Sequence, residues 1–112
     1  GRYDAIYRED TIMGKEFEVI DKTGRRIYIT KERLKHIKKH PKISNQIEDL
    51  KSILKSPHAI MRHEVDENAR YYYGYFKNND PEERYLLVLV KYLNGEGFII
   101  TAFFTNKIGG LR

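Results

Sequence analysis

RYLLVLVKYLNGEGFIITAFFT (84–105) contains two apolar runs separated by a polar connector with two glycines. β-Branched and aromatic residues over such lengths read as two antiparallel strands joined by a turn. Pairing Tyr92 with Phe98 puts Leu86, Val88, Val90, Tyr92, Phe98, Ile100, Ala102 and Phe104 on one face. Apart from one phenol that face is apolar, so something must cover it, and a slip of one residue would mix the two faces. The opposite face then carries Tyr85, Leu87, Leu89, Lys91, Ile99, Thr101, Phe103 and Thr105.

Upstream, AIMRHE (59–64) and RYYYGYFK (70–77) extend the meander, with turn residues in the connectors VDENA and NNDPEE. Turn geometry sets Arg62 and Glu64 opposite Tyr72 and Arg70 on the open face. Earlier still, FEVI (17–20) and RIYIT (26–30) flank DKTG as a hairpin. The Thr30 hydroxyl can cap a helix that starts at Lys31 and that Pro41 stops at about His40. Ile43, Ile47, Leu50 and Leu54 recur at helical spacing, with Ser44 or Asn45 as cap and Pro57 as terminator. The expected class is α+β: an N-terminal β-hairpin, two α-helices, then a four-stranded antiparallel sheet packed against the helices. Residues 1–16 show no period and are expected to be an arm or linker, with 17–112 a single domain.

Composition narrows the function classes. The 112 residues include no cysteine, which removes disulfides, thiolate catalysis and cysteine-bound zinc. No apolar run approaches the ~20 residues of a membrane span, and no signal-peptide pattern opens the sequence. A cytoplasmic protein is the expectation, and Gly1 in place of methionine suggests a trimmed chain. The net charge of +5 is concentrated between Arg25 and Lys42, where eight Lys/Arg stand against the single acid Glu32. Such a stripe attracts polyanions, nucleic acid first among them, although a solubilising lysine face has the same composition.

Two histidines lie inside that stripe. On a helix whose buried stripe is Leu34 and Ile37, His36 and His40 are neighbours on the flank beside Arg33. They could be plain boundary residues. They do not look like a zinc pair, because Ile37 stands where the helical protease motif has glutamate and Lys38 and Lys39 repel a dication. Cleavage of RNA by its own 2′-hydroxyl instead needs a base, an acid and cations on the phosphate, and no metal or other cofactor. Arg62, Arg70 and Lys91 are candidate phosphate ligands, and Thr101 and Thr105 can hydrogen-bond its oxygens. Tyr72 is the tyrosine of the 71–73 run expected to face the cleft and stack on a base. Each has a structural alternative: threonine favours strands, Arg70 can pair with Glu64, and the tyrosines can be packing.

The order of motifs resembles a known group. T-x-E-R-x-x-H-I (Thr30, Glu32, Arg33, His36, Ile37), then His40-Pro41, a helix ending at Pro57, R-x-Y-Y (Arg70, Tyr72, Tyr73) and I-T-A-F-x-T (Thr101, Ala102, Thr105) carry it. The group is the phage- and bacteria-associated branch of the barnase, EndoU, colicin and RelE-like nuclease superfamily. The resemblance spans about residues 17–108 and implies a metal-independent, toxin-like endoribonuclease, with RNA as substrate and an acidic antitoxin or immunity protein as possible partner. It implies a catalytic set from His36, His40, Arg70, Thr101 and Thr105, and substrate contacts from Arg33, Arg62, Tyr72 and Lys91. Fold membership does not guarantee activity, so a non-catalytic RNA-binding module is the alternative. A carboxylate base of the barnase type is not evident; Glu64 is the nearest candidate by face.

Overall fold

The computed structural model describes residues 14–39 and 47–110. In chain order these form strands β1 (Lys15–Ile20) and β2 (Arg26–Thr30), helices α1 (Lys31–Ile37) and α2 (Ile47–Lys55), and strands β3 (Ala59–Arg62), β4 (Ala69–Tyr75), β5 (Tyr85–Leu93) and β6 (Glu96–Thr105). A short 3₁₀ turn, Pro81–Glu83, links β4 to β5. The six strands make one sheet in the order β1-β2-β6-β5-β4-β3. Among the described residues its only parallel contact is β2 with β6.

The class is α+β, as expected, but the sheet is mixed and six-stranded rather than antiparallel and four-stranded. The hairpin joins the sheet because Ile27-Tyr28-Ile29 is apolar on both sides and needs cover on both faces, an interior position. Ile27 and Ile29 enter the core under the helices. Tyr28, on the other face, stacks on Phe98 with ring centroids 6.0 Å apart.

The last hairpin also departs from its expected register, for a local reason. Asn94 and Gly95 both have positive φ (56° and 79°), the signature of a two-residue type I′ turn, which fixes Leu93 opposite Glu96. Tyr92 therefore pairs with Gly97, not Phe98. Further along, Val88 pairs with Ala102 and Leu86 with Phe104, as the apolar pattern requires. A bulge at Ile100 reconciles the two halves. As a result Ile99 lies on the helix side, while Phe98 and Ile100 pack on the opposite face.

The helices follow their sequence signals where they are described. The Thr30 hydroxyl accepts the Arg33 amide at 3.2 Å, and Leu34 and Ile37 are buried. α1 ends at Ile37, earlier than expected, with the Lys39 amide bonded to the His36 carbonyl in a tightened last turn. His40 and the expected caps Ser44 and Asn45 lie outside the described residues. α2 buries Leu50, Ile53 and Leu54. It sits so close to β4 that a Cβ on Gly74 would come 2.5 Å from Ile53 Cδ1. Both helices cover the same face. On the other face the segment after β6 crosses the tyrosines of β4, where the Gly109 amide donates to the Tyr73 hydroxyl at 3.0 Å. Among the described residues no helix is long and apolar enough to cross a membrane.

Candidate active site on the helix-free face

Strand parity decides which side chains of β4 face which way. Tyr72 belongs to the core under the helices, whereas Ala69, Tyr71 and Tyr73 belong to the opposite layer. The turn from β3 to β4 then brings polar groups to the edge of that second layer. The amides of Val65 and Asp66 both donate to His63 Nδ1, at 3.1 and 3.0 Å. With Nδ1 occupied as an acceptor, the ring hydrogen resides on Nε2. The His63 ring packs on Tyr71, centroids 5.3 Å apart.

The Tyr71 hydroxyl in turn donates to Glu64 Oε2 at 2.7 Å. That bond, foremost, with the backbone amide of Glu64 itself, the nearby His63 and the Gly110 amide, holds the Glu64 carboxyl below the usual carboxylate range. Asp66 anchors the turn from the other side. Burial raises its pKa, but the Lys91 ammonium bonded to it and the Asn68 amide more than offset this, so it too is lowered.

Glu64 lines two depressions. One, of about 430 Å³, is lined by Arg62, His63, Glu64, Val65, Glu67 and Arg70. The other, of about 220 Å³, is bordered by Glu64, Tyr71, Thr105, Lys107 and Gly110. Arg70 is held by the carbonyls of Glu67 and Ala69, both 2.8 Å from Nη1. An ionised carboxylate thus borders both depressions. Tyr71, Thr105 and Lys107 flank it on the helix-free face. Arg70 and its partner Arg62 share the parity of Tyr72, and the Arg70 guanidinium lies over the Tyr92 ring on the helix side, 5.9 Å from its centroid. This set can remove a proton, grip a phosphate and return a proton.

The family model described as phage-Barnase-EndoU-ColicinE5/D-RelE like nuclease2 matches residues 7–111. The chain belongs to that nuclease family. Nucleic acid is accordingly the class of substrate. Comparison with curated proteins and with solved structures finds no significant match.

Within this nuclease three of the residues singled out in the sequence line the two depressions that share Glu64: Thr105 on the helix-free face, and Arg62 and Arg70, which have the parity of Tyr72. Arg62 pairs with Arg70, and Ile60 with Tyr72, so the expected pairings of Arg62 and Glu64 are each displaced; Glu64 lies beyond the strand. Thr101 shares the helix-free face through its partner Leu89, but lies further along β6. Tyr72 was expected to face the cleft and instead is fully buried, its hydroxyl bonded to Asp21 and Tyr92. Lys91 is buried on the correct face and bonded to Asp66, so it braces the turn rather than meeting solvent.

His36 and Arg33 are on α1, which packs over β1, β2 and β6, on the face opposite Tyr71, Thr105 and Lys107. The meeting of helix imidazole with strand hydroxyls that underlies the sequence expectation does not occur for His36. Sequence reasoning missed His63, Tyr71 and Lys107. Alternation along RYYYGY was the available signal for Tyr71, since the tyrosine chosen for the core fixes the face of the other two.

Proposed function

We propose that this nuclease is an endoribonuclease that cuts RNA through the 2′-hydroxyl, leaving a 2′,3′-cyclic phosphate and a 5′-hydroxyl, without a metal ion. The observation that carries this reading is the Tyr71-held Glu64 carboxylate, which lines one depression with Thr105 and Lys107 and a second with Arg62 and Arg70. Glu64 takes the proton of the 2′-hydroxyl. The bond from the 2′-oxygen to phosphorus forms as the bond to the 5′-oxygen breaks, and the Lys107 ammonium supplies the proton that the departing oxygen needs. Arg62 and Arg70 carry the phosphate charge, with Thr105 and the His63 Nε2–H as hydrogen-bond donors to its free oxygens.

A toxin-type role in the cytoplasm, with an acidic antitoxin or immunity protein as partner, belongs to the same proposal. Its support is an open depression of about 570 Å³ lined by Lys31, Lys35, Lys38, Lys39 and Glu16, on the helix side and away from the groove. The lysines that crowd the sequence stretch around His36 therefore serve capture of acidic partners rather than proton transfer.

Incubation with RNA in excess chelator tests the reaction. Cleavage is expected to persist, to leave cyclic phosphate ends, and to fail on a strand with one deoxyribose at the cut position. Equal cutting of that strand would remove the 2′-hydroxyl as nucleophile. The Tyr71→Phe variant tests the base. Losing the hydrogen bond lets the Glu64 pKa rise toward the ordinary ~4.3. A base works only above its pKa, so the acidic limb of the pH–rate profile is expected to move to higher pH. An unmoved limb would mean that another group is the base.

A further inference from the structure

Six rings form an unbroken run across the helix-free face: His63, Tyr71, Tyr73, Tyr85, Tyr75 and His58. Successive centroids are 5.3, 6.3, 6.3, 5.6 and 5.3 Å apart. The run begins at the Glu64 groove and ends at the far end of β4. Its middle, Tyr73, is buried, but its outer end is open: Tyr75 is 47% exposed and His58 is also exposed. Among the described residues four large apolar side chains are exposed, and the two aromatic ones, Tyr75 and Phe103, both lie on this face. His58 stacks on Tyr75 at 28°, which fixes the tyrosine ring before anything binds.

We infer that Tyr75, backed by His58 and Tyr85, is a stacking subsite for an unpaired base of a single-stranded nucleic acid, beyond the nucleotide that is cut. The inference rests on the nuclease reading only in taking that strand as the substrate. A pre-fixed, half-exposed ring offers a flat apolar surface that every base can use, and paired bases have both faces already occupied. Tyr75 is four steps along β4 from Tyr71, about 13 Å at strand rise, so a base on Tyr75 is not the one at the scissile phosphate. Lys107 on this face, with Arg62 and Arg70 in the second depression that Glu64 lines, gives the strand cations next to the start of the ring run.

The test uses a fluorescent, fully 2′-O-methylated oligonucleotide, which cannot be cut, as a single strand and annealed to its complement. The single strand is expected to bind more tightly than the duplex. Tyr75→Ala is expected to weaken single-strand binding by about five- to 150-fold, the range of one lost stacking contact. Tyr75→Phe keeps the ring and should bind like the parent. The salt dependence of all three should match, because no phosphate contact is removed. Unchanged affinity in Tyr75→Ala would overturn the inference and leave the exposed rings to a protein partner. An equal loss for duplex, or in Tyr75→Phe, would overturn it as well. Whether all-ribose RNA is cut is a separate measurement, so the nuclease reading and the stacking subsite fail independently.

Discussion

Glu64→Gln is expected to lower the rate of RNA cleavage by about 10²- to 10⁴-fold, the usual contribution of a positioned general base. The amide oxygen can still accept the Tyr71 hydroxyl, and the side chain is exposed, so folding should change by no more than about 0.5 kcal/mol. A loss of rate without a loss of structure isolates the proton transfer. His36→Ala, across the sheet, is expected to leave the rate unchanged. The parent's pH profile provides an independent check. With Glu64 as base the acidic limb falls below the usual carboxylate range, whereas a histidine base would place it near ~6.5. A limb near neutrality, together with a fully active Glu64→Gln, would move the chemistry to another residue.

How much of this could be read in advance depended on whether the signal was local. β2 was bounded correctly because its apolar triplet sits between a Gly24 turn and the Thr30 cap. The order of the four late strands was equally legible from their connectors. Sheet membership of the hairpin was not, since the parallel contact of Tyr28 with Phe98 joins residues far apart in sequence. The register of the last hairpin failed for a subtler reason. Its turn and its apolar faces call for different pairings, and only the bulge at Ile100 satisfies both. The site suffered from the same difficulty. Arg62, Arg70 and Thr105 were found by residue type, but the histidines drew attention to α1 because charge density is visible in a sequence and sheet face is not. The turn that holds His63 and Glu64 is organised by Lys91 of β5 through Asp66, a contact no local pattern announces.

Asp21→Ala is expected to be the most destabilising single change, because one buried carboxylate holds two distant parts of the fold. Asp21 is 5% exposed. Its Oδ1 accepts the Thr23 amide at 3.0 Å, the Thr23 hydroxyl at 2.8 Å and the Arg25 amide at 2.9 Å, which shapes the β1–β2 turn. Its Oδ2 accepts the hydroxyl of Tyr72 on β4. A carboxylate can only accept, so Tyr72 has spent its proton and Tyr92 must donate to it. The turn is also tied to the end of α2, with the Lys22 amide on the Leu54 carbonyl at 3.0 Å. Hydrogen bonds to charged groups contribute about 1.5–3 kcal/mol each, but water can re-enter at the turn, so a loss of about 3–5 kcal/mol is expected rather than the full sum. At roughly 4–8 °C per kcal/mol, the midpoint of thermal unfolding should fall by more than 10 °C. Tyr72→Phe strands Oδ2 and the Tyr92 hydroxyl and should cost about 1–3 kcal/mol. In the double variant the two losses should fall short of adding, since both remove one contact. Burial, and then the bond to Asp21, raise the Tyr72 pKa, and Tyr92 is raised chiefly by burial. Their share of stability is therefore complete below ~10 and is lost as the pH climbs from there toward the folded values. Denaturant melts of the three variants decide the matter. An Asp21→Ala protein as stable as its parent, or losses that add fully, would mean that the carboxylate does not join hairpin to sheet.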